Sequence, residues 1–454
     1  VPSAFASEPG TNNIEWQPAS PSAHLPRGAW WELFDDSDLN ALEQRATGEN
    51  QDLAAALARF QKARASVSIT RADLLPQIEL DPSYTRQRTS LNAPQNGHPA
   101  GLSPTYNTFT LALEAGWEVD LWGKIRRQVE STRAQLAASA DDVEATKLAV
   151  QADVATDYFA LRSLDAEYEL LQRTAETFRH SLELTMNRRR GGIASDLDVS
   201  QAQTQLQTTE AELPAVQLQR ARLLHALATL CGVTANELEW QTNSASQNEP
   251  PSVPIYVPSE LLERRPDVAA TEQRMAAANA QIGAAKGAFY PRLRLNGLAG
   301  FESIDAATWF DWPSRFWAFG PSLQLPLFTG GRNRAQLELA KASYNETLAA
   351  YRQTVLNAFQ EVEDQLAAQK LLAAQLKSES AALASSQRTL EIANNRYKAG
   401  LITYLEVAVA QGSELSIERT VVQLRRDKFT TAVGLVRALG GGWERETQQA
   451  QKSH

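Results

Sequence analysis

NRRRGGIASDLDVSQAQ at residues 187–203 and NRYKAGLITYLEVAVAQ at residues 395–411 are two readings of one pattern. In each, an Asn-Arg pair and further basic residues lead to a glycine at a matching place, Gly192 and Gly400. Glycine tolerates the left-handed backbone that ends a helix, and positive side chains are favoured near a helix C-terminus. Arg188, Arg189, Arg190, Arg396 and Lys398 supply that charge. Each stretch therefore predicts a tight turn between two helices. Outward from the first turn, no proline occurs between Trp122 and Arg190, and Gly123 is the only glycine until Gly191. Ala, Leu, Gln, Glu and Arg dominate, all good helix formers. A helix of that length approaches roughly 100 Å at the standard rise, longer than an ordinary compact domain accommodates. Leu136, Val143, Ala149, Val150, Ala155 and Leu161 recur at near coiled-coil spacing. A return helix is expected over 194–230, with Pro214 as a kink or a junction. The second turn sits between a proline-free helix over 332–398 and a return helix over 403–439.

Further out, the echo continues at about the same 210-residue offset. LLPQIEL around Pro76 returns as FYPRLRL around Pro291, and WGKIRR at 122–127 returns as TGGRNR at 329–334. Between these markers the periodicity changes from helical to alternating. Strands are expected at 77–88 and 107–120 in the first copy, and at 292–303 and 315–328 in the second. In FTLALEAGWEVDL, Phe109, Leu111, Leu113, Ala115, Trp117, Val119 and Leu121 fall on one face, while Thr110, Glu114, Glu118 and Asp120 fall on the other. A lipid-facing barrel strand needs that pattern, although a core-facing strand shows it too. Pro321 and Pro326 argue against one uninterrupted strand at the end of the second pair. Trp309, Phe310, Trp312, Phe316, Trp317 and Phe319 crowd that pair, and an interfacial girdle is the preferred reading over core packing.

The chain of 454 residues thus divides into an extended N-terminal segment (1–37), a first structural repeat (38–240, with its long hairpin at 122–230) and a polar, proline-rich linker (241–258). A second repeat (259–440, with its hairpin at 332–439) and a polar tail (441–454) complete it. Trp30 and Trp31 pin the end of the lead-in, and helices are expected at about 38–47 and 50–74. The fold class is an all-α coiled-coil barrel joined to a membrane β-barrel. Four strands do not close a barrel across a bilayer, and open edges are not tolerated in lipid. Three chains would supply twelve strands.

Composition narrows the function. A formal charge of -9 leaves no basic footprint for nucleic acid. No run of eighteen apolar residues proposes a membrane-spanning helix, which says nothing against a barrel. Cys231, the single cysteine, reads as a buried helix-end residue, and no disulfide or thiolate cluster can form within the chain. His24, His98, His180, His225 and His454 make no metal-ligand spacing. No nucleophile–base pair stands out, so neither an enzyme nor a cofactor is expected. Gly330, Gly331 and Arg332 mimic a phosphate loop, but the required spacing is absent. Gly330 and Gly331, like Gly123 in the first copy, read as strand-to-helix bends. In LLERRPDV, Pro266 and Asp267 read as a helix start, with Arg264 and Arg265 available to carboxylates. The opening VPSAFASEPG carries no secretory signal, and the first methionine is Met186.

Taken together, LLPQIEL, WEVDLWGKIRR, PSELLERRPDVAATEQRMAAANAQIGAAKGAFYPRLRL, LQLPLFTGGRNRAQLELA and NRYKAGLITYLEVAVAQ resemble the TolC-type outer membrane efflux proteins, within them the NodT-like lipoproteins of RND efflux systems. The resemblance covers roughly residues 30–440. It implies a homotrimeric outer membrane conduit that passively exports drugs or other small toxic solutes. It implies a periplasmic adaptor and an inner membrane RND transporter as partners. It also implies a lipid anchor on a cysteine outside these residues. The turns then form the periplasmic tip, where Arg190, Gly191, Gly192, Lys398, Gly400 and Leu401 are candidates for adaptor docking. The gate is expected in TYLEVAVAQGSEL at 403–415. Val409 stands where the family's aspartate falls and Gly412 where its arginine falls, so a charged ring is not available. Val409 can pack or dewet a narrow pore, with Tyr404, Glu406 and Asp198 supplying polarity or bridging bonds. Two alternatives remain at this level: a duct for type I protein secretion, and a non-channel coiled-coil scaffold of the envelope.

Overall fold

The computed structural model describes residues 29–90, 105–240, 249–251 and 265–441. The elements run α1 (Ser37–Glu49), α2 (Gln51–Ala72), β1 (Gln77–Arg88), β2 (Thr105–Val119), α3 (Lys124–Arg190), α4 (Asp196–Leu230), α5 (Pro266–Gly287), β3 (Arg292–Ser303), β4 (Arg315–Gln324), α6 (Arg332–Lys398) and α7 (Tyr404–Ala438). The two copies agree in length: α3 and α6 each have 67 residues, α4 and α7 each have 35.

The helix ends agree as well. Gly192 and Gly400 both have φ +75°. Ile193 N–H reaches back to Arg188 O at 2.8 Å, and Leu401 N–H to Arg396 O at 2.9 Å. Both are the glycine-centred closure that satisfies the last carbonyls of a helix. Pro214 makes no junction: α4 runs unbroken past it. Pro214 is solvent-exposed, so water can satisfy the carbonyl that loses its helical donor. The fourth strand stops at Gln324 rather than 328, because Pro326 brings no N–H to a ladder. The second strand is shifted to Thr105–Val119 from the expected 107–120. Pro266 starts α5, where Pro266 and Asp267 read as a helix start. The expected lead-in up to residue 28 and most of the linker and tail lie outside the described residues.

Two compact units divide the chain differently from the sequence repeats, each taking parts of both copies. One comprises Val1–Ala58, Asp141–Ala269 and Gln353–His454; the other comprises Arg59–Ala140 and Ala270–Arg352. In the first unit, Trp30, Trp31 and Phe34 are buried against Phe159 and Val433. Tyr158 donates to Asp36 Oδ2 at 2.7 Å, while Asp36 Oδ1 caps α1 through the N–H groups of Asp38 and Leu39. Cys231 is fully buried at the end of α4 among Ala46, Val154 and Leu227. Along the hairpins, apolar clusters recur, including Leu171 with Val216 and Leu415, and Phe178 with Leu206. Arg265 is buried and bonds Asp267, Glu361 (2.6 Å) and the Ala438 carbonyl.

The second unit holds one antiparallel sheet in the order β1-β2-β3-β4. Its outer edges, on β1 and β4, have no strand partner among the described residues. Pro82 and Pro321 lie in these two edge strands, where a missing N–H is tolerated. Gly300 lets β2 and β3 come close: a Cβ there would lie 2.0 Å from Leu111 O.

Candidate functional site

The register sorts the sheet into two unlike faces, because residues opposite one another in a ladder share a face. One face carries Ile78, Leu80, Pro82 and Tyr84 from β1, and Phe109, Leu111, Leu113 and Trp117 from β2. It continues through Leu293, Leu295 and Phe301 of β3 to Trp317, Phe319 and Leu323 of β4. The other face carries Gln77, Glu79, Asp81, Glu114, Glu118, Arg294, Asn296 and Glu302. The apolar face is open: Leu80 is 63 %, Trp317 78 % and Phe319 74 % exposed. A contiguous exposed apolar surface of this extent marks a membrane or a partner. Near the hairpin ends, Tyr84 meets Phe109 (4.9 Å between centroids), Phe109 meets Trp309 (5.5 Å) and Trp309 stacks on Phe310 (4.8 Å).

At the opposite ends, the strands turn into the long helices. Gly123, Gly330 and Gly331 have φ of +78°, +60° and +84°, as strand-to-helix bends require. Asp120 caps α3 by accepting from the N–H groups of Ile125 and Arg126. Trp122 stacks on Tyr290 and donates to Pro291 O at 2.7 Å, so the first bend is held by the strand entry of the second copy.

The other site is the pair of turns, within the first unit. Arg190, Gly191, Gly192, Lys398, Gly400 and Leu401 are all exposed. Ile193 (70 %) and Leu197 (65 %) in one turn match Leu401 (69 %) and Leu405 (52 %) in the other. Each tip thus presents an apolar pair beside its basic residues.

The expected gate residues separate into two groups. Val409 and Glu406 point to solvent, Val409 at 65 % exposure. Tyr404 and Asp198 are instead engaged in bonds between the two hairpins. Ser195 and Asp198 form a reciprocal cap at the start of α4. Asp198 Oδ1 also accepts from the backbone N–H of Tyr404, the first residue of α7, at 3.4 Å. Thr403 provides no side-chain cap there, so the first hairpin supplies the acceptor that the second lacks. Partial burial works to raise the Asp198 pKa, but bonds from Ser195 and Tyr404 and the charge of Arg188 outweigh it, and the net shift is downward. Tyr404 is 1 % exposed; burial, with Tyr397 adding to it, pushes its hydroxyl up to about 12.

Around Tyr404 lies a cluster that sequence reading missed. Tyr404 OH donates to Gln411 Oε1 (3.3 Å), and Gln411 Nε2 donates to Ser181 Oγ (3.3 Å). Thr185 Oγ1 and Tyr397 OH share a bond at 3.3 Å. Arg188 lies over the Tyr397 ring and donates to the Lys398 carbonyl at 3.2 Å. Tyr397 and Tyr404 meet edge to face at 5.6 Å. The detectable signal was a tyrosine on each side of Gly400. Farther along, Arg419 of α7 bonds Glu167 of α3 (2.6 Å) and Glu212 of α4 (2.5 Å).

An amphipathic sheet with open edges, carried on a chain with twin 67-residue helices and matched turns, defines a membrane conduit subunit. The outer membrane efflux protein family matches residues 42–233 and 257–441, and the chain belongs to it. The chain is 33% identical over 428 residues to the probable efflux pump outer membrane protein TtgC of Pseudomonas putida, covering 93% of this chain and 87% of TtgC. It is 34% identical to the outer membrane protein OprJ of Pseudomonas aeruginosa over 419 residues, covering 91% and 86%. Among solved structures, the outer-membrane channel OprN matches with a TM-score of 0.85 at 31% identity, covering 92% of this chain and 93% of that one. The Campylobacter jejuni CmeC outer membrane channel matches with a TM-score of 0.88 at 27% identity, covering 96% and 92%. The chain is thus a TolC-like outer membrane channel of the kind that serves RND-type efflux, with long helices in the periplasm.

Proposed function

We propose that three copies close their sheets into one twelve-stranded barrel and form a passive export duct for small toxic solutes. A periplasmic adaptor docks at the exposed tips, and an inner membrane RND transporter supplies the energy. The observation that carries this reading is the sheet: one face apolar from β1 to β4, the other polar, and both edges open. In lipid, unpaired backbone groups cost several kcal/mol each, by order of magnitude about 4. Joining β4 of one copy to β1 of the next removes both edges and leaves the polar face lining a wet lumen.

The tip closes the duct in this proposal. The exposed Val409 narrows the pore, while Asp198 and Tyr404 hold the two hairpins of each copy together. Val409→Ser tests both parts in planar bilayers. The intact protein should run as a trimer by light scattering in detergent, and the variant should open more often. A monomer would remove the barrel, whereas a trimeric variant with unchanged opening would remove Val409 from the constriction.

A further inference from the structure

The apolar face of the sheet carries charge at only three strand positions: Arg86 and Arg88 in β1, and Arg315 in β4. No carboxylate shares that face within the strands, because Glu79, Asp81, Glu114, Glu118 and Glu302 all lie opposite. The three arginines also lie at one end. Arg88 ends β1 and Arg315 begins β4, both at the hairpin connections rather than the ends that enter the long helices. None has an ion-pair partner among the described residues, and Arg86 and Arg88 are exposed. Arg315 instead lies over the Trp312 ring, with its Cζ 3.6 Å from the centroid.

Chance surface charge does not account for this sorting. Guanidinium groups facing hydrocarbon without a counter-charge are costly, and at a barrel rim they reach the headgroups. The arginines occupy opposite edges of the four-stranded sheet. Closing β4 of one copy against β1 of the next gathers them into one cluster at each seam. A guanidinium presents paired donors that match phosphate oxygens.

From this placement we infer that each seam binds a phosphate-bearing lipid of the outer leaflet through Arg86, Arg88 and Arg315. Trp312 and Tyr84 stand at the headgroup level beside the cluster. The inference rests on the trimeric barrel proposed above. A lipid held across two copies also ties them together, so it strengthens the assembly as well as the membrane contact.

The test uses the full chain in vesicles of phosphatidylcholine, with and without about one-fifth phosphatidic acid. The readouts are the thermal midpoint of trimer dissociation and lipid retained per trimer by native mass spectrometry. The anionic lipid should raise the midpoint and remain bound. R86Q/R88Q/R315Q should lose the rise and bind at least about tenfold more weakly. Arg315→Gln alone, which leaves β1 untouched, should give an intermediate loss. R292Q/R294Q, on the polar face, should behave like the parent. A trimeric parent with no lipid effect, or a triple variant with the full effect, overturns the lipid site but leaves the barrel. Equal stabilisation by inorganic phosphate assigns the cluster to a soluble ion and overturns it too. A parent that is monomeric in vesicles overturns both readings.

Discussion

Glu43 is the least comfortable side chain in the fold. It is fully buried in α1, and neither carboxyl oxygen has a hydrogen-bond partner among the described residues. Burial pushes its pKa up to about 9, so the acid stays protonated at neutral pH. The folded state therefore holds a proton that the unfolded chain releases above the ordinary carboxylate pKa of 4.5. This group's contribution is fully present below 4.5 and declines as pH rises toward about 9. Glu43→Gln keeps the shape and removes the titration. Against the parent, it should gain at least about 1.4 kcal/mol in denaturant unfolding between pH 5 and pH 8. Parallel pH slopes for the two proteins would contradict a buried neutral acid. Asp198 behaves in the opposite sense. Its pKa lies below the usual range, so its stabilising charge is present above 3.8 and is lost only as pH falls through the lower folded value. Asp198→Ala leaves the Ser195 N-cap but removes the return half of its capping box and the acceptor for Tyr404 N–H, a loss of about 1 kcal/mol. Bilayer recordings should show more frequent opening of this variant. The parent should show no Asp198-dependent change in opening between pH 5 and pH 8.

Elements were legible where their breakers are. The bounds of β1, β3 and α6 follow from proline, glycine and alternation alone; Pro82 inside β1 does not break it because β1 is an edge strand. The expected fourth strand overran its observed end because alternation continued in apolar residues past Pro326, which stops the hydrogen bonding. The turns were legible for the same reason as the helix ends, since Gly192 and Gly400 carry the required positive φ. The bonds between hairpins were not legible. They join residues far apart in sequence, such as Ser181 with Gln411 and Asp198 with Tyr404. No periodicity reports such a pairing. Arg419 shows what these bonds do between helices. Glu167, its partner on α3, is almost fully buried, with a side-chain exposure of 7%. Arg419→Met should leave that carboxylate unpaired and cost about 3–5 kcal/mol. Measured by denaturant unfolding, Arg419→Met with Glu167→Gln should recover most of the loss. Equal instability of the single and double variants would assign the effect to packing by the Arg419 stem.

In the trimer proposed above, the polar face of the sheet sets the field inside the barrel. Five carboxylates, Glu79, Asp81, Glu114, Glu118 and Glu302, share it with two guanidiniums, Arg292 and Arg294. Glu79 and Glu114 stand directly opposite one another in the ladder. Like charges across strands are unfavourable and are tolerated when water or counter-ions screen them. Three-fold repetition in the proposed trimer would turn this pair into a ring of carboxylates, and such rings favour cations. The duct should therefore pass small cations in preference to anions, although its cargo need not bind anywhere along it. In bilayers with a salt gradient, the reversal potential should show cation preference for the parent. E79Q/E114Q should move it toward zero, while R292Q/R294Q should move it further toward cation preference. The salt dependence supplies the second criterion: the preference should weaken as ionic strength rises and the Debye length falls to about 3 Å at 1 M. If E79Q/E114Q retains the parent's selectivity at low salt, charge at another constriction controls the current, and the exposed residues at the hairpin tips become the place to look for it.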